Sequence, residues 1–446
     1  MKPLGWMGIV RLGLVQTALG AIVILTTSTM NRVMVVELAL PATLPGLLVG
    51  LHYAIQMLRP HLGYGSDVGG RRTPWIIGGM AILGAGAVLA ALAIALLPSM
   101  PVGGMLLAAL AFCAVGIGVG ASGTTLLVLL AQRVAEERRP AAATITWMMM
   151  ICGFVVTAAV AGKLLDPYSA ARLVAVTASV AVIALVVTVA AVWGMEGPHT
   201  PSTAAGASAR PASVPFMAAL VQVWSEPAAR RFTVFVFLSM LAYSLQDLIL
   251  EPYAGLVFGF TPGESTQLAS VQHGGVLVGM ICVALSGSVI GGRVLGSMRF
   301  WIVGGCLVSA LALFGLAASG FIPSWPLRAN VFALGAANGA FAVAAIGSMM
   351  TLAGQGTGHR QGLRMGLWGA SQAIAFGLGG VLGTLAVDIA RWLLQDTEVA
   401  YATVFGGEAV LFVVSAAIAA RLALPAARTR TAGRSLPGFV TSLARR

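Results

Sequence analysis

Gly63-Tyr64-Gly65-Ser66-Asp67-Val68-Gly69-Gly70-Arg71-Arg72 is a polar, glycine-rich turn set between two apolar runs, 46–62 and 74–97. Each run approaches the roughly 20 residues that cross about 30 Å of hydrocarbon, so the charged turn between them lies at a membrane surface. Two adjacent arginines mark that surface as cytoplasmic. The glycines permit a sharp reversal. Asp67 is placed to accept from backbone N–H groups at a neighbouring helix N-terminus, or to pair with an arginine.

The rest of the chain has the same character. Of 446 residues, 58% are hydrophobic and 9% charged, where a soluble protein carries about 25% charged residues. The sequence therefore predicts an all-α, polytopic membrane protein. Twelve transmembrane helices are expected, near 12–34, 46–62, 74–97, 103–131, 141–162, 171–193, 232–256, 267–289, 300–321, 327–353, 365–388 and 400–422. The net charge of +12 calls for no nucleic acid; basic loops facing anionic membrane lipids account for it. Cys113, Cys152, Cys282 and Cys306 lie apart, so neither a metal site nor a disulfide framework is suggested. No Walker loop, His-Glu-x-x-His or catalytic triad is found. Gly118-x-Gly120-x-x-Gly123 lies inside an apolar span and reads as helix packing, as do Gly335-x-x-x-Gly339 and Gly379-x-x-x-Gly383.

The Pro/Ser/Ala-rich stretch within 194–230 has no packable face and reads as a linker. It divides a six-span bundle (1–193) from a second one (231–422), which a basic tail (423–446) follows. All Lys and Arg except Arg32, Lys163, Arg172, Arg328 and Arg391 fall on the side of the termini. That asymmetry predicts cytoplasmic termini, linker and tail. Gly291-Gly292-Arg293 after span eight echoes Gly69-Gly70-Arg71 after span two. The set Gly63, Asp67, Gly70, Arg71 and Arg72 resembles the loop between the second and third helices of the major facilitator superfamily. A generic positive-inside turn is the plainer alternative. The resemblance implies two pseudo-symmetric 6+6 bundles that rock around a midplane cavity, with Asp67 and Arg71 acting in closure of the cytoplasmic side.

Ionisable residues inside spans are costly, which makes them functional candidates. Tyr243, Asp247 and Glu251 follow one another at i, i+4 and i+8 and share a helix face, with Gln246 and Pro252 beside them. Glu251 could instead simply mark a helix end at Pro252. A shift of 215 residues superposes Asn31 on Gln246 and Arg32 on Asp247. Arg32 is thus expected to meet Asp247 or Glu251 as an outer gate, unless each finds water at the interface. His52 and His273 fall at matching depth in spans two and eight. Each is either a packing histidine or a neutral axial ligand for a metal.

Span four has no arginine before Arg133 and span five no Gly-Pro pair, which argues against proton-driven drug export. Several blocks are instead similar to the bacteriochlorophyll delivery family, the PucC/LhaA-like branch of the superfamily. They include Arg11-Leu12-Gly13-Leu14-Val15-Gln16, Asn31-Arg32-Val33-Met34-Val35-Val36-Glu37-Leu38, Gln246-Asp247-Leu248-Ile249-Leu250-Glu251-Pro252-Tyr253 and Gly362-Leu363-Arg364-Met365-Gly366-Leu367-Trp368-Gly369-Ala370. Within the group the chain is most similar to members encoded among bacteriochlorophyll synthesis genes.

The resemblance implies a non-enzymatic protein that binds or passes bacteriochlorophyll or a precursor and aids assembly of photosynthetic complexes. Its partners would be light-harvesting or reaction-centre polypeptides and bacteriochlorophyll synthase. His52 foremost, then His273, become candidate ligands of the chlorin magnesium, with Tyr243 and Gln246 as further pigment contacts. The chain lacks the aspartate-rich magnesium–diphosphate motifs of a prenyl-transferring enzyme. A proton-coupled carrier of a small solute, and a subunit assisting the synthase, stand as alternatives.

Overall fold

The computed structural model describes residues 4–58, 71–135, 138–196, 224–288, 297–322, 324–355 and 361–422. Gly63, Asp67 and Gly70, most of the expected linker and all of the expected tail lie outside them. The described helices, in chain order, are α1 (Trp6–Glu37), α2 (Thr43–Ile55), α3 (Thr73–Leu96), α4 (Pro101–Arg133), α5 (Arg139–Leu164) and α6 (Ala170–Val192). The second set is α7 (Ala229–Phe258), α8 (Pro262–Ser288), α9 (Met298–Ser319), α10 (Leu327–Gln355), α11 (Gln361–Leu394) and α12 (Thr397–Ala420). Eleven of them are long and apolar enough to cross a membrane. The twelfth, α2, ends in a tight 3-10 turn at Gln56–Leu58.

Several helices outrun the apolar windows. The 34 residues of α11 span about 50 Å, against about 30 Å of hydrocarbon. Hydropathy finds where lipid ends, whereas Gln, Arg and Trp continue a helix beyond that edge.

The two sets pack alike. In the first, α1 lies on α5, and α3 on α4 and α6; in the second, α7 lies on α11, and α9 on α10 and α12. Each set has its own apolar core, one around Leu12, Met80, Leu83 and Val115, the other around Phe232, Phe341, Phe405 and Phe412. The sets meet along α5–α8 and α2–α11. The packing role expected of Gly335 and Gly339 is met on α8, since a Cβ at either would collide with the carbonyl of Gln272 or Val276.

Candidate functional site

Two helices break their regular ladder at matching places. In α1, Leu25–Thr29 and Val33–Glu37 form wide π-type turns on either side of Arg32. Thr26 and Thr27 donate their hydroxyls back to the Val23 carbonyl at 2.9 and 3.0 Å. Such bonds compete with the backbone and loosen the ladder. In α7, Gln246–Leu248 tighten into a 3-10 turn. Pro252 follows, and it has no N–H to give the carbonyl four residues back.

Between the breaks lies a cavity of about 280 Å³ shared by both bundles. Tyr243, Asp247 and Glu251 all line it, as their spacing requires. Glu251 is 3% exposed and neither carboxylate oxygen has a hydrogen-bond partner. Gln246 turns away and is buried with both amide atoms unpartnered. Ser309 donates to Asn338 Oδ1 at 2.7 Å, which leaves the Asn338 Nδ2 donor unpartnered in the cavity lining.

The two histidines differ. His273 lines the cavity and stands edge-to-face on Phe154 at 4.9 Å. Its Nδ1–H donates to the Ala269 carbonyl at 2.9 Å, so Nε2 carries the lone pair, the arrangement a metal ligand needs. His52 is 2% exposed and does not line the cavity. It sits 2.8 Å from the Gln56 amide, and its backbone carbonyl abuts Gly116 of α4. Equal depth leaves the facing of each ring open; of the two, His273 lines the cavity and His52 does not.

Arg32 also departs from expectation. Its guanidinium pairs with Glu37 and donates to the Phe260 carbonyl, packed against Gly255. It lines a separate vestibule with Asp166, Tyr168 and Glu264 on the side away from the termini. Asp247 and Glu251 open onto the central cavity instead, so Arg32 forms no direct ion pair with either of the two expected partners, although its charge still acts on Glu251.

That distal side is laced across the bundles. Asp388 at the end of α11 accepts from the Ala42 and Thr43 N–H groups at 3.0 and 2.7 Å, and from the Thr43 hydroxyl. Asp166 after α5 accepts from the Thr261 hydroxyl at 3.0 Å and the Gly263 N–H at 3.3 Å. Each aspartate thus caps a helix N-terminus of the opposite bundle, α2 in one case and α8 in the other. Thr29 and Thr266 hydroxyls meet at 3.0 Å nearby. The sequence gives no sign of these pairs, because both partners are local features of different bundles.

On the terminal side, Glu196 accepts from the Arg72 and Thr73 N–H groups, the latter at 2.9 Å, and so caps α3. Burial alone would raise its carboxyl. The two backbone donors, the Thr73 hydroxyl and the Arg71 charge outweigh that and hold it below the usual carboxylate range.

A family model described as PUCC protein matches residues 29–427. The chain belongs to the PUCC family. It is 52% identical over 416 residues to the "Bacteriochlorophyll synthase 44.5 kDa chain" of Rhodobacter capsulatus, covering 93% of this chain and 95% of that one. It is 30% identical to "Protein PucC" of the same organism, covering 93% and 92%. A solved bacterial homologue of the human lysosomal transporter Spinster, in an inward-facing and unoccupied conformation, superposes with a TM-score of 0.66 at 15% identity, covering 92% and 95%. That likeness shows the fold, the major facilitator arrangement of two helix bundles.

In this PUCC family chain one further carboxyl stands out. Glu408 of α12 is 2% exposed, and neither oxygen has a hydrogen-bond partner. It lies within electrostatic reach of Asp247 from behind the cavity wall. The rule that ionisable residues inside spans are candidates covers it, but no polar neighbour in sequence draws attention to it.

Proposed function

We propose that this chain binds a magnesium tetrapyrrole pigment, bacteriochlorophyll or a precursor, in the central cavity and passes it to light-harvesting or reaction-centre polypeptides. The observation that carries the reading is His273, a cavity histidine with its Nδ1–H engaged and Nε2 available as a neutral axial ligand. Phe154, which contacts His273, and Tyr53 elsewhere in the lining supply aromatic surface for a flat macrocycle. The name of the 52% identical relative, a bacteriochlorophyll synthase chain, supports the same pigment. The protein acts without catalysis, in a bacterial inner membrane with both termini cytoplasmic.

The absorption spectrum of the gently solubilised protein tests this. A far-red pigment band that co-purifies is expected. A colourless protein showing proton-linked solute uptake would replace the reading with a coupled carrier, for which Asp247 and the unpartnered Glu251 speak. Prenyl transfer by the protein freed of any separate synthase would overturn the non-enzymatic role.

A further inference from the structure

We infer that the cavity takes a magnesium tetrapyrrole only as its uncharged ester and rejects the free acid; this rests on the pigment reading above. Asp247 and Glu251 form part of the lining, and Glu251 is buried with both oxygens unpartnered. Among the described residues no Lys or Arg lines the cavity. Arg32 is held in the distal vestibule by Glu37 and the Phe260 carbonyl.

A ligand carboxylate would fail here in either protonation state of the wall. If the wall is ionised, like charges oppose each other. If it is neutral, the ligand anion enters a low-dielectric space with no cation in its lining; the Arg32 charge that reaches Glu251 is already paired with Glu37, so the buried anion stays poorly compensated. An ester suffers neither penalty. Its carbonyl is a neutral acceptor suited to Asn338 Nδ2, whose orientation Ser309 fixes from behind. The reaction that supplies this cargo is therefore esterification of the ring carboxylate on another protein, and this chain acts after it.

The test uses the purified full chain in mild detergent, titrated with a magnesium chlorin free acid or its methyl ester at a pH where the acid is ionised. Tryptophan quenching reports binding, with Trp147 in the lining. The methyl adds little apolar surface, so charge is the main variable. The ester is expected to bind, and the acid roughly tenfold or more weakly. Asp247→Lys, which places a cation in the lining, should close most of that gap. The ester-to-acid comparison on the parent chain carries the inference if that variant does not elute as a single species. Equal affinities, or a gap unchanged by the added cation, would overturn the inference and leave pigment binding standing. If neither compound binds, the pigment reading itself falls, and the inference with it.

Discussion

Asn31 donates its side-chain amide to the Leu248 carbonyl at 2.6 Å, across the boundary between the two bundles. Leu248 lies four residues before Pro252, so its carbonyl is the one that the missing proline N–H would have satisfied within α7. The break in one bundle thus creates the acceptor that the other bundle uses.

Asn31→Leu leaves that buried carbonyl without a donor, which costs about 1–3 kcal/mol. The melting temperature of the purified protein should fall accordingly. Pro252→Ala supplies an N–H to the same carbonyl, so Asn31→Leu should cost less in that background. Equal losses in both backgrounds would show that the two residues do not share the acceptor.

The two aspartate caps tie the bundles together on the distal side, and we expect them to resist its opening. Asp388 receives two backbone N–H groups and a hydroxyl, Asp166 one of each. Charge at a helix N-terminus contributes about 0.3–2 kcal/mol. A cysteine placed at Thr27 in the cavity lining should react faster with a reagent added from the distal side in Asp388→Ala than in Asp166→Ala. The double variant should be fastest. Unchanged labelling in all three would mean that the seam is held by packing alone.

The Glu196 cap makes stability depend on pH. Its folded carboxyl lies below the ordinary value, so the unfolded chain binds its proton first as pH falls. The stabilisation is present above the ordinary carboxylate range and is lost as pH falls through the lower folded value. Glu196→Gln should therefore narrow the gap to the parent protein on acidification. A gap in melting temperature that stays constant through the acid range would rule out the cap as its source.

Much of the architecture was legible in residue types, because apolar runs near membrane length and arginines gathered on one side are set by the solvent the chain crosses. The shared facing of Tyr243, Asp247 and Glu251 was legible too, since one helix repeat relates them. The partner of Arg32 was not. A shift of 215 residues assumes an unbroken helix, whereas π-type turns flank Arg32. One extra residue in a turn rotates the remainder of the helix by roughly 100°. Asp166 and Asp388 were illegible for another reason, as their partners are backbone groups that folding alone brings near.

The proposed pigment ligation separates the two histidines. Removing the imidazole of His273 takes away the available Nε2 in the cavity, while the His52 ring is buried outside the cavity lining beside Gln56. His273→Ala should lose bound magnesium chlorin or shift its absorption bands with membrane insertion intact. His52→Ala should keep the pigment spectrum and lose thermal stability through disturbed packing. His273→Asn, which still offers an oxygen, should retain part of the binding. A spectrum moved by His52→Ala and untouched by His273→Ala would reverse the assignment, and one unmoved by the double alanine variant would remove both histidines as ligands.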